Sequence, residues 1–154
     1  MAARPEEARE FGVEAVDRAL SGVAGVTAIH LCFGYAAIVH NRGTEYAFLE
    51  ELASSAVQQI SIEAAQPTLE LAVLDRLVDK TVILGVLNLG EMAVETPEAV
   101  AGRIRAALLH LPPERLVIAP DCGMKYLPRE VAFAKLTAMV EGTRLVRAEI
   151  GGHQ

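Results

Sequence analysis

Apolar positions along the chain change period several times, and each change marks an element. Over residues 5–21, Phe11, Val13, Val16, Ala19 and Leu20 recur at helical spacing behind an acidic first turn, which predicts an amphipathic helix closed by Gly22 and Gly25. Residues 26–31 then form an apolar run rich in β-branched side chains, the pattern of a short buried strand. Residues 33–43 read as a loop carrying His40, Asn41 and Gly43. Thr44 and Glu45 are placed to cap a helix to about residue 54, with Phe48, Leu49 and Leu52 inward. A second strand covers residues 57–63, with Ile60 and Ile62 on one face and Gln59, Ser61 and Glu63 on the other. A helix over 68–78 and a third strand over 80–86 follow. After a loop to residue 95, Thr96 supplies an N-cap and Pro97 the first position of a helix that Pro112 and Pro113 stop. The fourth strand, 115–119, runs into Pro120-Asp121-Cys122-Gly123. The last helix opens near Pro128, carries Val131, Phe133, Leu136 and Met139 on its apolar side, and ends near Gly142 before a frayed tail.

A helix followed by alternating strands and helices with short loops predicts an α/β domain of parallel strands joined by right-handed crossovers. About four such strands make either a small open sheet or half of a (βα)8 TIM barrel, and periodicity does not separate the two. No linker composition interrupts residues 1–154, so one domain is expected. The composition is 52% hydrophobic, yet the apolar stretch 81–89 falls short of the roughly 18 residues of a membrane helix. The surplus is therefore expected in a covered sheet or an interface. The first ten residues lack the charged-then-apolar order of a signal peptide, which leaves a cytoplasmic location as the expectation. A net charge of −6 with scattered Lys and Arg argues against a nucleic-acid partner.

Chemistry gathers at the strand ends. His30 and Cys32 share a face at the end of the first strand, Glu63 ends the second, and Cys122 follows the fourth. In parallel α/β folds that carboxyl end is where sites are built. In a chain expected to be cytoplasmic the two cysteines should be free or metal-bound rather than bridged. One imidazole, two thiolates and a carboxylate suit a tetrahedral zinc site with a displaceable oxygen ligand. For Glu63 a helix-capping role is the competing reading. His40, His110 and His153 read as surface or tail residues, while Tyr35, Lys125 and Tyr126 sit in rim loops within reach of a substrate. Gly34 and Gly123 read as backbone-geometry residues beside the site.

The segments 29–35 (Ile-His-Leu-Cys-Phe-Gly-Tyr), 60–63 (Ile-Ser-Ile-Glu), Gly85-Val86 and 114–125, with its Pro-Asp-Cys-Gly-Met-Lys run, resemble in order the zinc-binding half of cobalamin-independent methionine synthase. Zinc thiol-alkyltransferases such as the epoxyalkane–coenzyme M transferase share the pattern. The resemblance implies the second half of a (βα)8 barrel, strands five to eight, with zinc held by His30, Cys32, Cys122 and Glu63. It implies further that a substrate thiol, homocysteine in the synthase, is held as thiolate and takes a methyl or alkyl group. Asp121 would be either an acceptor for His30 or a helix cap.

Two departures from the family pattern stand out. The synthases carry a histidine in the loop after the seventh strand, proposed to protonate the departing folate nitrogen. Here that loop reads Gly85-Val86-Leu87-Asn88-Leu89-Gly90-Glu91, with Gly90 at the histidine position and Glu91 the candidate proton donor. A donor other than methyltetrahydrofolate, such as a methylated corrinoid protein or an alkyl substrate, suits that loop. The barrel's first half is also missing from the sequence. An open half barrel is expected to pair with a copy of itself or with a complementing first-half chain, or to be a piece of a longer protein. Three readings compete: a zinc-dependent thiol methyl- or alkyltransferase active in a completed barrel, a zinc-binding half-barrel without activity of its own, and a zinc lyase or hydrolase. Two cysteine ligands lower the Lewis acidity that water activation needs, which disfavours the third.

Overall fold

Short β-branched runs bounded by glycine, proline and polar residues become four parallel strands in the computed structural model of the chain. The structure describes residues 5–35, 46, 49–67 and 69–152. His40, Asn41, Gly43, Thr44, Glu45, Phe48, Thr68 and His153 lie outside those residues, and so do the readings that rest on them. The elements run α1 (Pro5–Leu20), β1 (Ala28–Leu31), β2 (Gln59–Ile62), β3 (Thr81–Gly85), α2 (Pro97–Ala107), β4 (Leu116–Ala119) and α3 (Arg129–Gly151).

The strands pair in sequence order, β1-β2-β3-β4, all parallel. Ile29, Ile60, Val82 and Leu116 share one register row, and Leu31, Ile62, Leu84 and Ile118 another. These rows face Val100, Ile104 and Val146 of the helices in one hydrophobic cluster, joined at its margin by Val16 and Leu20 of α1. All three helices therefore lie on one side of the sheet. The intervening row, His30, Ser61, Ile83 and Val117, points the other way, and no described helix covers it. Sequential parallel order with helices on one face only is the geometry of a barrel segment; an open doubly wound sheet carries helices on both. This resolves the ambiguity that periodicity leaves, and of the two places expected for the apolar surplus, a covered sheet or an interface, it favours the second.

Several elements differ from expectation. β1 is an edge strand with Ala28 and His30 exposed, not a buried one. The crossover expected as a helix over 68–78 is a 3-10 turn, Leu71–Arg76, and the described end of the preceding crossover is another, Glu51–Ser54. Six residues are too few to repay helix nucleation, so tertiary anchoring of Leu74 and Leu77 decides the local shape. Helix α3 does not stop at Gly142 but continues to Gly151. Its inward face is Lys135, Ala138, Gly142 and Val146, while Phe133 and Leu136 are exposed. Gly142 is there for contact: a Cβ would sit 2.6 Å from the Pro97 carbonyl oxygen and 2.7 Å from Val100 Cβ of α2. Thr96 does cap α2, its hydroxyl accepting from the Ala99 amide at 3.2 Å, with Pro97 in the first turn. Among the described residues no helix is long and apolar enough to cross a membrane.

Candidate metal centre

Parallel strands in register deliver their carboxyl ends to one rim. His30 is the penultimate residue of β1 with Cys32 two residues on, Glu63 directly follows β2, and Cys122 lies in the turn after β4. One ligand atom from each of His30, Cys32, Glu63 and Cys122 lies within 4.8 Å of all the others. The two sulfurs are 3.4 Å apart and unbridged. A tetrahedron with bonds of about 2.0–2.3 Å has edges of about 3.3–3.8 Å, so small side-chain adjustments would bring all four atoms onto one ion. The four residues expected from the sequence thus come together; Glu91 does not join them, standing exposed on the loop after β3.

Three of the four are held individually. The Phe33 amide donates to Glu63 Oε1 at 3.2 Å, the Gly34 amide to Cys32 Sγ at 3.2 Å, and His30 Nδ1 lies 2.9 Å from Ser61 Oγ. Gly34 makes its contact with φ at +88°, a conformation that favours glycine. Burial, together with Glu63 and Cys122 beside it, pushes the Cys32 thiol up to about 12, against the pull of the Gly34 amide. So placed, the Cys32 thiol disfavours its own ionised form. A divalent cation reverses that balance, and the donor set fits one.

Around the four donors is a shell that the sequence reading did not anticipate. Asp121 is neither an acceptor for His30 nor a helix cap. It is buried, and its carboxylate accepts from the backbone amides of Ala64, Ala65 and Gln66 at 3.3, 3.1 and 2.8 Å, tying the turn before Cys122 to the loop after Glu63. Burial raises its pKa to about 6 against those three hydrogen bonds. Gly85 makes room for it, since a Cβ there would fall 2.3 Å from Asp121 Oδ1 and 2.6 Å from its Cα. The Tyr46 hydroxyl accepts from the Glu63 amide at 2.7 Å and donates to the Glu63 carbonyl at 3.1 Å, and its ring packs on Phe33. Burial also pushes the Tyr46 phenol upward.

The loop after β3 is fixed from behind. Fully buried Lys135 donates to the Asn88 carbonyl at 3.0 Å, the Ala93 carbonyl at 2.5 Å and Glu95 Oε2 at 2.9 Å. Arg103 donates to the Val86 carbonyl at 2.6 Å. A lone lysine spaced with Ala138 and Gly142 was the available signal for this lock. A shallow cleft opens beside Glu63 and Cys122, walled by Tyr35, Gln66, Leu89 and Tyr126. At its mouth the rings of Tyr35 and Tyr126 meet edge to face, and Lys125 Nζ lies 4.6 and 4.9 Å from their centres. His110 is remote from all this, half-buried and paired with Asp75 at 3.0 Å.

Fold and rim together define a class: half of a βα barrel whose carboxyl-end rim carries a thiol-rich, metal-competent donor set. Residues 4–145 match the family model described as the catalytic domain of cobalamin-independent synthase. Methionine synthase of Sulfurisphaera tokodaii is 34% identical over 142 residues, covering 92% of this chain and 39% of its own length. That of Saccharolobus islandicus is 39% identical, with 91% and 40% covered, and that of Thermococcus kodakarensis 35%, with 95% and 41%. A solved B12-independent methionine synthase from Shewanella sp., in complex with selenomethionine, superposes with a TM-score of 0.90 at 27% identity, over 97% of this chain and 47% of that one. The chain belongs to the cobalamin-independent methionine synthase family. It spans about two-fifths of the length of the curated relatives it matches.

Proposed function

We propose that this chain is the zinc-binding half of a methyltransferase that methylates homocysteine to methionine. The observation that carries the reading is the convergence of His30, Cys32, Glu63 and Cys122 at the carboxyl rim. These four residues would hold the zinc, and Glu63, as the oxygen donor among softer ligands, is the one an incoming thiol would displace. When bound, zinc supplies a Lewis acid that keeps a thiol ionised near neutral pH. Tyr35, Lys125 and Tyr126 would line the approach of the acceptor, and Glu91, exposed on the same rim, would give the donor's leaving atom its proton as the methyl moves to sulfur. A cytoplasmic setting, where thiols stay reduced, suits this donor set.

The open sheet calls for a partner, and the helix count favours one of the two kinds. A βα barrel has one helix at each junction between neighbouring strands. This chain carries a helix before β1 and another after β4, both on the outer layer. Two copies closed into a ring would bring α3 of one and α1 of the other to the same junction, twice. A first-half segment of four strands and three intervening helices meets no such conflict. This supports the barrel's first half as the partner, on the same polypeptide or another, and the chain alone would hold metal without turning over.

The test is complementation with the part of the Thermococcus relative that this chain does not span. Mixed with zinc, homocysteine and a methyl donor, the two parts should form methionine. Neither should do so alone, and Glu91→Gln should slow the mixture by about a hundredfold. A stable, stoichiometric complex that forms no methionine from any donor would contradict the proposal.

A further inference from the structure

We propose that Ser61 is the positioning residue for His30. Its hydroxyl accepts the Nδ1 hydrogen of the imidazole and so fixes Nε2 as the atom offered to the metal. The inference rests on the zinc reading above.

The two residues are neighbours by construction. His30 pairs with Ser61 across the β1–β2 ladder, on the face that no described helix covers. Ser61 Oγ lies 2.9 Å from His30 Nδ1. β1 is the sheet edge and His30 is exposed, so packing does little to hold the ring. Among the described residues this contact is the hydrogen bond its imidazole makes. A neutral imidazole has one N–H and one lone pair. With Nδ1 turned to Ser61, only the tautomer carrying its hydrogen on Nδ1 leaves a lone pair on Nε2. The opposite arrangement, with the serine donating to Nδ1, would put hydrogen on Nε2 and remove His30 from the donor set. Cys32 and Glu63 are held by backbone amides, which substitution cannot delete, whereas His30 depends on a side chain. Ser61 is thus a place where one hydroxyl acts directly on a donor side chain without being a ligand, and such outer partners carry about ten- to hundredfold in metal affinity.

The experiment combines zinc affinity, from competition with a chromophoric chelator, with long-range ¹H–¹⁵N correlation of the zinc-loaded chain. The His30 resonances are assigned by loss in His30→Ala. In the wild type, Nε2 should show the metal-bound shift and Nδ1 should carry the proton. Ser61→Ala should bind zinc about ten- to hundredfold more weakly, with mixed ring tautomers. Ser61→Thr, which restores the hydroxyl, should recover the wild-type spectrum and most of the affinity. A metal-bound Nδ1 in the wild type overturns the inference, and so does a Ser61→Ala chain with unchanged affinity and ring spectrum. The wild-type spectrum needs no variant, so it decides even if Ser61→Ala fails to fold. A wild type that binds no zinc overturns the metal reading itself, a separate outcome.

Discussion

Gly85 shows how finely the rim is fitted at the scale of single residues. It ends β3 where Asp121 crosses beneath the loop after β2, and there is no space for a side chain. Gly85→Ala should therefore cost about 1–3 kcal/mol in chemical denaturation and weaken metal binding in parallel, because Asp121 cannot keep all three amides of residues 64–66. Unchanged stability would mean that the contact relaxes freely. The convergence of His30, Cys32, Glu63 and Cys122 was legible in the sequence. Strand alternation puts His30 with Cys32, both cysteines fall at strand ends, and the family resemblance ties those positions together. Ser61, Tyr46 and the role of Asp121 were not legible. Each depends on which residue lies across a ladder or under a loop, and pairing register is information that one strand's sequence does not contain.

Elements obey a similar division. The four strands lie within the predicted stretches, shortened at their ends, because β-branched runs between turn residues admit little else. Helices fared less evenly. Apolar spacing over residues 68–78 reads as helical, but the segment closes as a 3-10 turn under tertiary control. Gly142 reads as a stop signal, yet it serves as the contact point between α2 and α3. Lys135, on the same inward face, holds the loop after β3 through a buried pair with Glu95. Burial pushes the Glu95 carboxyl up, but Lys135 and the Asn88 amide outweigh it and hold the group below the usual glutamate range. A carboxyl depressed in the folded state stabilises fully above its unfolded pKa, and that contribution is lost as pH falls through the folded value. Lys135→Met should destabilise by about 1–3 kcal/mol near neutral pH, since it leaves the Asn88 and Ala93 carbonyls without their donor and Glu95 with the more distant Arg103 guanidinium, 3.6 Å away, as its cation. Glu95→Gln should also destabilise, and its deficit against the wild type should shrink as pH is lowered from about 6 to about 3. A deficit that stays constant across that range would rule out the ionised pair.

For the whole molecule, periodicity left open whether four βα units made an open sheet or part of a barrel, while the family resemblance implied the barrel. Sequential strand order and one-sided helices decide for the barrel. The chain's apolar surplus then finds its place: Val26 is 70% exposed beside the β1 edge, and Val117 of β4 is 42% exposed on the uncovered face. A first-half segment should cover both, so it should protect β1 and β4 amides from hydrogen exchange while leaving β2 and β3 nearly unchanged. Equal protection across all four strands, or none, would contradict closure at the edges.

The function proposed for this chain depends on the rim holding one metal ion. The most direct test is the zinc content of protein purified without added metal, measured beside His30→Ala, Cys32→Ser and Cys122→Ser. The expected result is one zinc per wild-type chain, lost or sharply reduced in each variant. A wild type free of metal, with both thiols open to titration and no zinc taken up on addition, would contradict the account at its centre.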